Sequence, residues 1–186
     1  MFLNEPARTS YDFSFNLFGF PVRVHPGFFV LPFVFGAQFA QGGAQNAGVV
    51  VLIFIMVFFV SILVHELGHT FALRYFGTPS HIVLYWFGGL AIHGTGWGSQ
   101  KRLSSNQQIV VSLAGPFAGF ALAGVFAVAV IALGGQLVFM WSGLFPIVFP
   151  DLQETALAGN QSMGIFIYVG LFCNIFWNIL NLAPVL

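Results

Sequence analysis

A run of 18 residues, Ala47–Val64, contains no charged side chain and a single hydroxyl group, that of Ser61. A helix of about 20 apolar residues crosses the roughly 30 Å hydrocarbon core of a bilayer. The rest of the sequence also suits a lipid bilayer, because charged residues make up 5% of the chain and the mean hydropathy is +0.91. Soluble domains contain about 25% charged residues. The sequence therefore predicts a membrane protein.

We predict one all-α polytopic membrane domain over residues 1–186, with about four to six transmembrane helices. Each predicted helix comes from an apolar segment with few or no charges. The four segments are Pro26–Ala40, Ala47–Val64, Gln107–Leu133, and Met163 to the end of the sequence. The first is short for a crossing, and the second is expected to continue as a helix to an end near Gly77.

Two regions rich in aromatic and β-branched residues are broken by glycine, and both are predicted to form short β-strands near the membrane surface. They are Phe13–His25, near the N-terminus, and residues 80–98. Residues 137–149 are apolar but contain Gly143 and Pro146. We expect this stretch to be a re-entrant or interfacial segment rather than a crossing.

Small residues recur every four positions within the Gln107–Leu133 segment, namely at Gly115, Gly119, Ala123 and Ala127. On a helix this spacing forms a stripe that lets a neighbouring helix approach closely. The single cysteine, Cys173, cannot form a disulfide within the chain.

The formal net charge is zero, so the chain lacks the basic surface that a nucleic-acid partner would require. The five basic residues precede the first predicted helix or lie between the second and third, at Arg8, Arg23, Arg74, Lys101 and Arg102. The positive-inside rule then predicts that the N-terminus, the 77–105 segment and the C-terminus are cytoplasmic.

The motif HELGH, at residues 65–69, follows directly on the Ala47–Val64 segment. Residues four apart on a helix lie about 40° apart around its axis, so His65 and His69 face one point, as metal ligands do. Glu66 is rotated by about 100° and can act as a general base on water without being a ligand. Ionisable side chains inside a membrane usually mark function. The alternative is a His–Glu–His cluster that stabilises helix packing through hydrogen bonds.

A catalytic zinc site has three protein ligands and a water molecule, and HELGH supplies two. The position six residues after His69 is Tyr75, so the metzincin pattern does not apply,. Other candidate ligands are weaker, because the carboxylates are predicted on the opposite side of the membrane and the histidines lie near turns. These residues are Asp151, Glu154, His25, His81 and His93, with His93 as the reserve candidate.

Five short segments occur in a defined order along the chain. They are NLFGFPVRVHPGFF at 16–29, HELGH at 65–69, FGGLA at 87–91, SLAGP at 112–116 and NLAPVL at 181–186. Together they resemble the site-2 protease family of intramembrane zinc metalloproteases over nearly the whole chain. In that family the last segment begins a motif that continues to Leu-Asp-Gly.

The resemblance implies a zinc metalloendopeptidase that hydrolyses a peptide bond in the transmembrane segment of a single-span, membrane-anchored signalling or regulatory protein. It implies one Zn²⁺ per chain, held by His65 and His69, with an Asp just beyond Leu186 as the third ligand. The domain is therefore expected to be truncated in this sequence. Asn181 is expected to donate a hydrogen bond to the substrate carbonyl or the developing oxyanion, and an ordinary hydrogen bond between helices is the alternative.

Gly88 and Gly89 can let a strand edge pair with an unwound substrate, and a simple turn in a surface sheet is the alternative for both residues. For the whole chain, two other functions stay open. One is a catalytically inactive family member. The other is a membrane protein that binds a metal or relays ions through its His–Glu–His cluster.

Overall fold

The computed structural model describes residues 7–43, 46–86, 88–93, 103–143 and 145–182, with all their side chains except those of residues 93, 142, 145 and 146. Most of the described chain is helical. The helices are α1 (Val30–Ala40), α2 (Ala47–Tyr75), α3 (Ser105–Ala132) and α4 (Gln161–Leu182). The strands are β1 (Phe13–Leu17), β2 (Phe20–Val24), β3 (Ser80–Tyr85), β4 (Gly88–His93), β5 (Gln136–Ser142) and β6 (Phe145–Asp151).

Three helices, α2, α3 and α4, are long and apolar enough to cross a membrane, as their segments predicted. The predicted crossing at Pro26–Ala40 is different, because it divides into a 3₁₀ turn, Pro26–Phe29, and the 11-residue α1. A helix of that length is shorter than the roughly 17 residues that a crossing needs. The described residues therefore contain three membrane-length helices, and the prediction of four to six is not confirmed.

The ends of α2 and α3 are both set by glycine. Gly77, just after α2, has a φ of +76°, and the N–H of Thr78 donates to the carbonyl of Leu73 at 2.9 Å. Gly134, just after α3, has a φ of +82°. Glycine adopts this left-handed conformation without steric cost and so ends a helix. The predicted end of the second apolar helix near Gly77 is confirmed.

The chain divides into two compact units. The sheet unit comprises Met1–Leu31 and Ile62–Ala118, and the hairpin unit comprises Pro32–Ser61 and Gly119–Leu186.

The sheet unit contains a four-stranded sheet in the order β1-β2-β3-β4. Its outer pairs are antiparallel, and the central pair, β2 with β3, is parallel, with Val22 opposite Ile82. Apolar side chains of the two central strands are almost fully buried, at Val22, Val24, Ile82, Val83 and Leu84. The strands predicted near the N-terminus and in residues 80–93 are confirmed, while residues 94–98 of the second region lie outside the described residues.

The hairpin unit contains a second sheet, formed by the antiparallel strands β5 and β6. Its buried core joins β6 to α3 and α4 through Val130, Val148, Leu152, Ile167 and Leu171. This corrects the fold class, because strands were predicted only near the N-terminus and at 80–98. Residues 137–149 form a β-hairpin, which agrees with the prediction that they do not cross the membrane.

Polar groups are buried between the helices of the hairpin unit. Asn174 of α4 is 1% exposed and donates through Nδ2 to the Ser61 hydroxyl of α2 at 2.8 Å. The side chain of Asn178 packs against the α-carbon of Gly119, where any Cβ would overlap the amide. The predicted close approach of a helix along the small-residue stripe of α3 is therefore confirmed at Gly119.

An ion pair holds the N-terminal segment to the first sheet. Arg23 of β2 donates through Nη1 to Oδ2 of Asp12 at 2.8 Å. The Thr9 hydroxyl donates to Oδ1 of the same carboxylate at 2.6 Å. These two hydrogen bonds, the one from Thr9 first, lower the pKa of Asp12 from 3.8 to about 2. The folded protein therefore favours the ionised carboxylate.

Because this pKa is lowered on folding, the pair stabilises the protein above pH 3.8 and loses its contribution as the pH falls towards 2,. We predict that Asp12→Asn lowers the melting temperature at neutral pH by a few degrees at most. The difference between wild type and variant should shrink below pH 4, be small at pH 2 and vanish below it,. Melting of the detergent-purified protein, followed by tryptophan fluorescence, measures it. A difference that persists unchanged at pH 2 would contradict the assignment.

Candidate active site

The HELGH motif lies on a helix, as the sequence predicted. That helix is α2, and the motif is in the part of α2 that belongs to the sheet unit. His65 and Glu66 are almost completely buried, with 3% and 5% of their surfaces exposed. The Nε2 atoms of His65 and His69 are 3.0 Å apart. Two imidazole nitrogens bound to one tetrahedral zinc ion, each at about 2.05 Å, would be separated by about 3.3 Å. The pair therefore fits two adjacent positions around one zinc ion.

The orientation of His69 is fixed from α3. Its Nδ1 lies 2.6 Å from the main-chain carbonyl oxygen of Val111. Because a carbonyl oxygen can only accept, Nδ1 carries the hydrogen, and a neutral His69 presents the lone pair of Nε2 towards His65. This is the usual outer contact of a metal-binding histidine, whose second nitrogen donates to a carbonyl or carboxylate.

Gly115 of α3 makes this contact possible. A Cβ at Gly115 would overlap the imidazole of His69, and its nearest atom would be Nε2, the nitrogen directed at His65. A second glycine, Gly68 of α2, lies against the carbonyl of Ala114 in the same way. The two helices thus touch backbone to backbone beside the histidine pair. The stripe that includes Gly115 was predicted to admit a helix, but the sequence did not indicate that it admits the imidazole of His69.

Glu66 faces the sheet. Its side chain packs against the α-carbon of Gly89, and any Cβ at that position would overlap the carboxyl group. The main-chain N–H of Ala91 donates a hydrogen bond to the carboxyl group. Among the described residues, no group of three His, Cys, Asp or Glu side chains could hold a metal ion. Glu66 therefore lies beside the histidine pair in the sequence and against β4 in the structure, and its role as a general base rather than a ligand stays a prediction.

Gly88 and Gly89 begin β4, opposite Tyr85 and Leu84 of β3. In the order of the described sheet, β4 is an edge strand, because β3 is its only partner. Because the N–H of Ala91 donates to Glu66, β4 runs past the carboxyl group. The structure thus brings Gly89 together with Glu66. Phe87, in the FGGLA segment, lies outside the described residues.

Asn181 lies near the end of α4, in the hairpin unit, and its Nδ2 donates to the carbonyl of Trp177 at 2.8 Å. Its role at an oxyanion stays a prediction. Asp151 lies at the end of β6, where its Oδ1 accepts from the N–H of Gln153 at 3.1 Å. The predicted Asp ligand beyond Leu186 and residues 183–186 lie outside the described residues.

The remaining histidine candidates are His25, His81 and His93. His25 caps the 3₁₀ turn, with Nδ1 accepting from the N–H of Gly27 at 2.9 Å. Its ring meets Tyr85 edge-on, with centroids 4.7 Å apart. His81 lies in β3, and the side chain of His93 lies outside the described part of the chain. His25 is thus the N-cap of this turn.

Arg74, near the end of α2, joins that helix to the first hairpin. Its Nη1 donates to the carbonyl of Phe18 at 2.8 Å, and its guanidinium lies 4.3 Å from the ring centre of Phe20 and 4.8 Å from that of Phe71. Phe18 and Gly19 form the turn with φ values of +51° and +82°. A bulky residue in this conformation is strained and needs outside support. The sequence indicated only the charge of Arg74, not this contact.

Comparison with known proteins identifies a solved structure with a similar fold. No protein-family model and no curated protein matches the sequence. Among solved structures, the site-2 protease from Methanocaldococcus jannaschii matches with a TM-score of 0.50 and 18% sequence identity, covering 89% of this chain and 63% of that chain. The chain has a site-2 protease-like fold. This confirms the resemblance at the level of the fold. The chain spans less than two thirds of the length of the site-2 protease that it matches.

We predict that Gly115→Ala weakens zinc binding, because the new methyl group occupies the position of the His69 imidazole. Zinc per chain should fall to well under half of the wild-type value after dialysis against a weak chelator. The matched control is Gly124→Ala on the same helix, where a Cβ meets no atom within 4 Å. Wild-type zinc content in both variants would show that His69 does not depend on this approach.

Proposed function

We propose that the chain is an intramembrane zinc metalloprotease, a zinc metalloendopeptidase that cleaves the transmembrane segment of a membrane-anchored signalling or regulatory protein. The observation that carries the proposal is the pair of Nε2 atoms of His65 and His69, 3.0 Å apart on a membrane-length helix, with Glu66 beside them. The site-2 protease-like fold supports it. The reaction class follows from this donor set, because two histidines and a glutamate in this spacing suit metal-assisted peptide hydrolysis.

In this proposal, His65 and His69 hold one zinc ion, and the third protein ligand is an Asp beyond Leu186. When bound, zinc supplies Lewis acidity that polarises the scissile carbonyl and makes water a stronger nucleophile. The hydrogen bond from His69 Nδ1 to the Val111 carbonyl keeps the ligand nitrogen aimed at the site and raises its basicity,.

Glu66 is the proposed general base. Its carboxylate takes a proton from the attacking water and later delivers it to the leaving amine. The contacts with Gly89 and the Ala91 N–H hold the carboxyl group on the side that faces the sheet. A general base held in this way contributes about 10²–10⁴-fold to the rate of hydrolysis.

The free edge of β4 is the proposed substrate-binding strand. A helical substrate hides its carbonyls in its own hydrogen bonds, so the segment to be cleaved must unwind first. An unwound strand can pair with an exposed sheet edge through main-chain hydrogen bonds. Gly88 and Gly89 leave this edge without side chains next to Glu66, which gives the substrate backbone room. Asn181 is proposed to donate to the substrate carbonyl in the same complex.

The protein is proposed to lie with its N-terminus and the active-site end of α2 in the cytoplasm. Arg74 lies at that end of α2, as the positive-inside rule expects. Water then reaches His65, Glu66 and His69 from the nearer, cytoplasmic surface. Cleavage would release the cytoplasmic part of the substrate.

A second candidate function is an inactive relative that binds metal or relays ions. It is favoured by one observation: His65 and Glu66 are almost fully buried ionisable side chains on a membrane-length helix. In that case His65, Glu66 and His69 would carry protons or ions, as ionisable groups inside membranes often do.

We predict that Glu66→Gln abolishes proteolysis, by at least about a hundredfold, and leaves zinc binding intact. The full-length protein would be reconstituted in liposomes with a set of single-span reporter proteins, and released fragments would be identified by mass spectrometry. Glu154→Gln is the matched control, because it removes an exposed carboxylate that does not belong to the HELGH motif.

Retained cleavage by Glu66→Gln would overturn the role of Glu66 as general base. Proton or ion flux across the same liposomes, lost in Glu66→Gln and accompanied by no cleavage in the wild type, would instead establish the ion relay.

A further inference from the structure

The outer strand of the second hairpin exposes four consecutive apolar side chains. Val138, Phe139, Met140 and Trp141 of β5 are 42%, 72%, 56% and 73% exposed. Consecutive residues of a strand point to opposite faces, so β5 is apolar and uncovered on both faces. Over residues 136–151 the only charged side chain is that of Asp151, at the base of the hairpin. A water-exposed edge strand normally carries charges that prevent association.

The inner strand fixes where the hairpin lies along α4. Val148 of β6 is 6% exposed and belongs to the same buried cluster as Ile167 and Leu171 of α4. The ring of Phe149 stacks on that of Tyr168, with centroids 5.1 Å apart. Tyr168 lies seven residues, or about 10 Å, into α4 from its first residue. The hairpin therefore runs beside α4 rather than beyond its end.

The order of the elements along the chain indicates on which side of the bilayer the hairpin lies. The preceding helix, α3, and the following helix, α4, are both long and apolar enough to cross a bilayer. The hairpin joins the end of one to the start of the other, so it belongs to the leaflet at which α3 ends and α4 begins. Phe149, about 10 Å from the start of α4,, therefore lies in that half of the bilayer, whose full thickness is about 40–45 Å.

The backbone of β5 restricts the depths in the bilayer at which the hairpin can lie. In the described sheet, β5 pairs only with β6, so its outer edge presents main-chain N–H and C=O groups. Open sheet edges do not occur against hydrocarbon, because those groups would have no hydrogen-bond partner. The side chains of Phe139 and Met140, on the other hand, disfavour water. Both demands are met at the headgroup–acyl boundary, where water and phosphate groups reach the edge and acyl chains cover the side chains.

We propose that β5 is a membrane-interface anchor, with Val138–Trp141 buried at the headgroup–acyl boundary of the lipid leaflet. Tryptophan suits this depth, because its ring is apolar and its N–H is polar. The indole N–H of Trp141 already donates to the carbonyl of Gly143 at 2.8 Å, which holds the ring against the hairpin tip. The anchor fixes the depth of the hairpin unit in the bilayer, and it is independent of the proposed proteolysis.

The test is quenching of Trp141 fluorescence in liposomes made from phosphatidylcholine with bromine on the acyl chain, either near the headgroup end or near the methyl end. The chain has four tryptophans, so the Trp141 signal is the difference between wild type and Trp141→Phe. A variant with Trp86→Phe, Trp97→Phe and Trp177→Phe gives the same signal directly and checks the subtraction. We expect strong quenching by the shallow bromine and at least about twofold weaker quenching by the deep one.

Three results would overturn the proposal. Quenching by aqueous acrylamide and by neither lipid would place β5 in water. Strongest quenching by the deep bromine would make the hairpin a re-entrant element. Protection from acrylamide and from both lipids would show that protein covers β5, as in edge-to-edge pairing of two copies, which a change in oligomeric state on Phe139→Lys would identify.

Discussion

The close contact between α2 and α3 is the constraint on which the candidate site depends. Gly68 lies against the carbonyl of Ala114, and Gly115 lies against the ring of His69. Only at this separation can Nδ1 of His69 reach the Val111 carbonyl at 2.6 Å. That hydrogen bond decides which ring nitrogen keeps its lone pair, and so it decides which nitrogen is available to a metal ion. The packing of small residues therefore controls the chemistry of the site, in addition to joining two apolar helices.

The sheet is tied to the same helix at two places, which explains how strands can serve a site on a membrane-length helix. Near the end of α2, the guanidinium of Arg74 holds the carbonyl of Phe18 and lies against two aromatic rings. Two turns earlier, Glu66 packs on Gly89 and accepts from Ala91. The hydrogen bonds that join β2, β3 and β4 link these two contacts, so the position of one constrains the position of the other. The edge of β4 is thereby held beside Glu66.

Much of this could be predicted from local sequence signals. The apolar segments fixed the three membrane-length helices, glycine followed by proline marked the end of α2, and the spacing of HELGH put His65 and His69 on one face. What could not be predicted depends on contacts between distant segments. The partner of His69 is a main-chain carbonyl, which every residue has, so nothing in the sequence distinguishes Val111. The β5–β6 hairpin was missed because its apolar run lacks polar alternation and contains prolines, which are uncommon within strands. The short α1 was overestimated because apolar residues continue through the 3₁₀ turn before it.

The central claim is that His65 and His69 bind zinc, and it is tested most directly by counting zinc per chain in the full-length protein purified in detergent. Wild type, His69→Ala and His81→Ala would be compared by mass spectrometry of the metal, with His81 as a histidine of β3 that does not belong to the motif. The account predicts about one zinc per chain in the wild type and in His81→Ala, and almost none in His69→Ala. Absence of zinc from the wild type after incubation with Zn²⁺, or equal zinc in all three proteins, would contradict it.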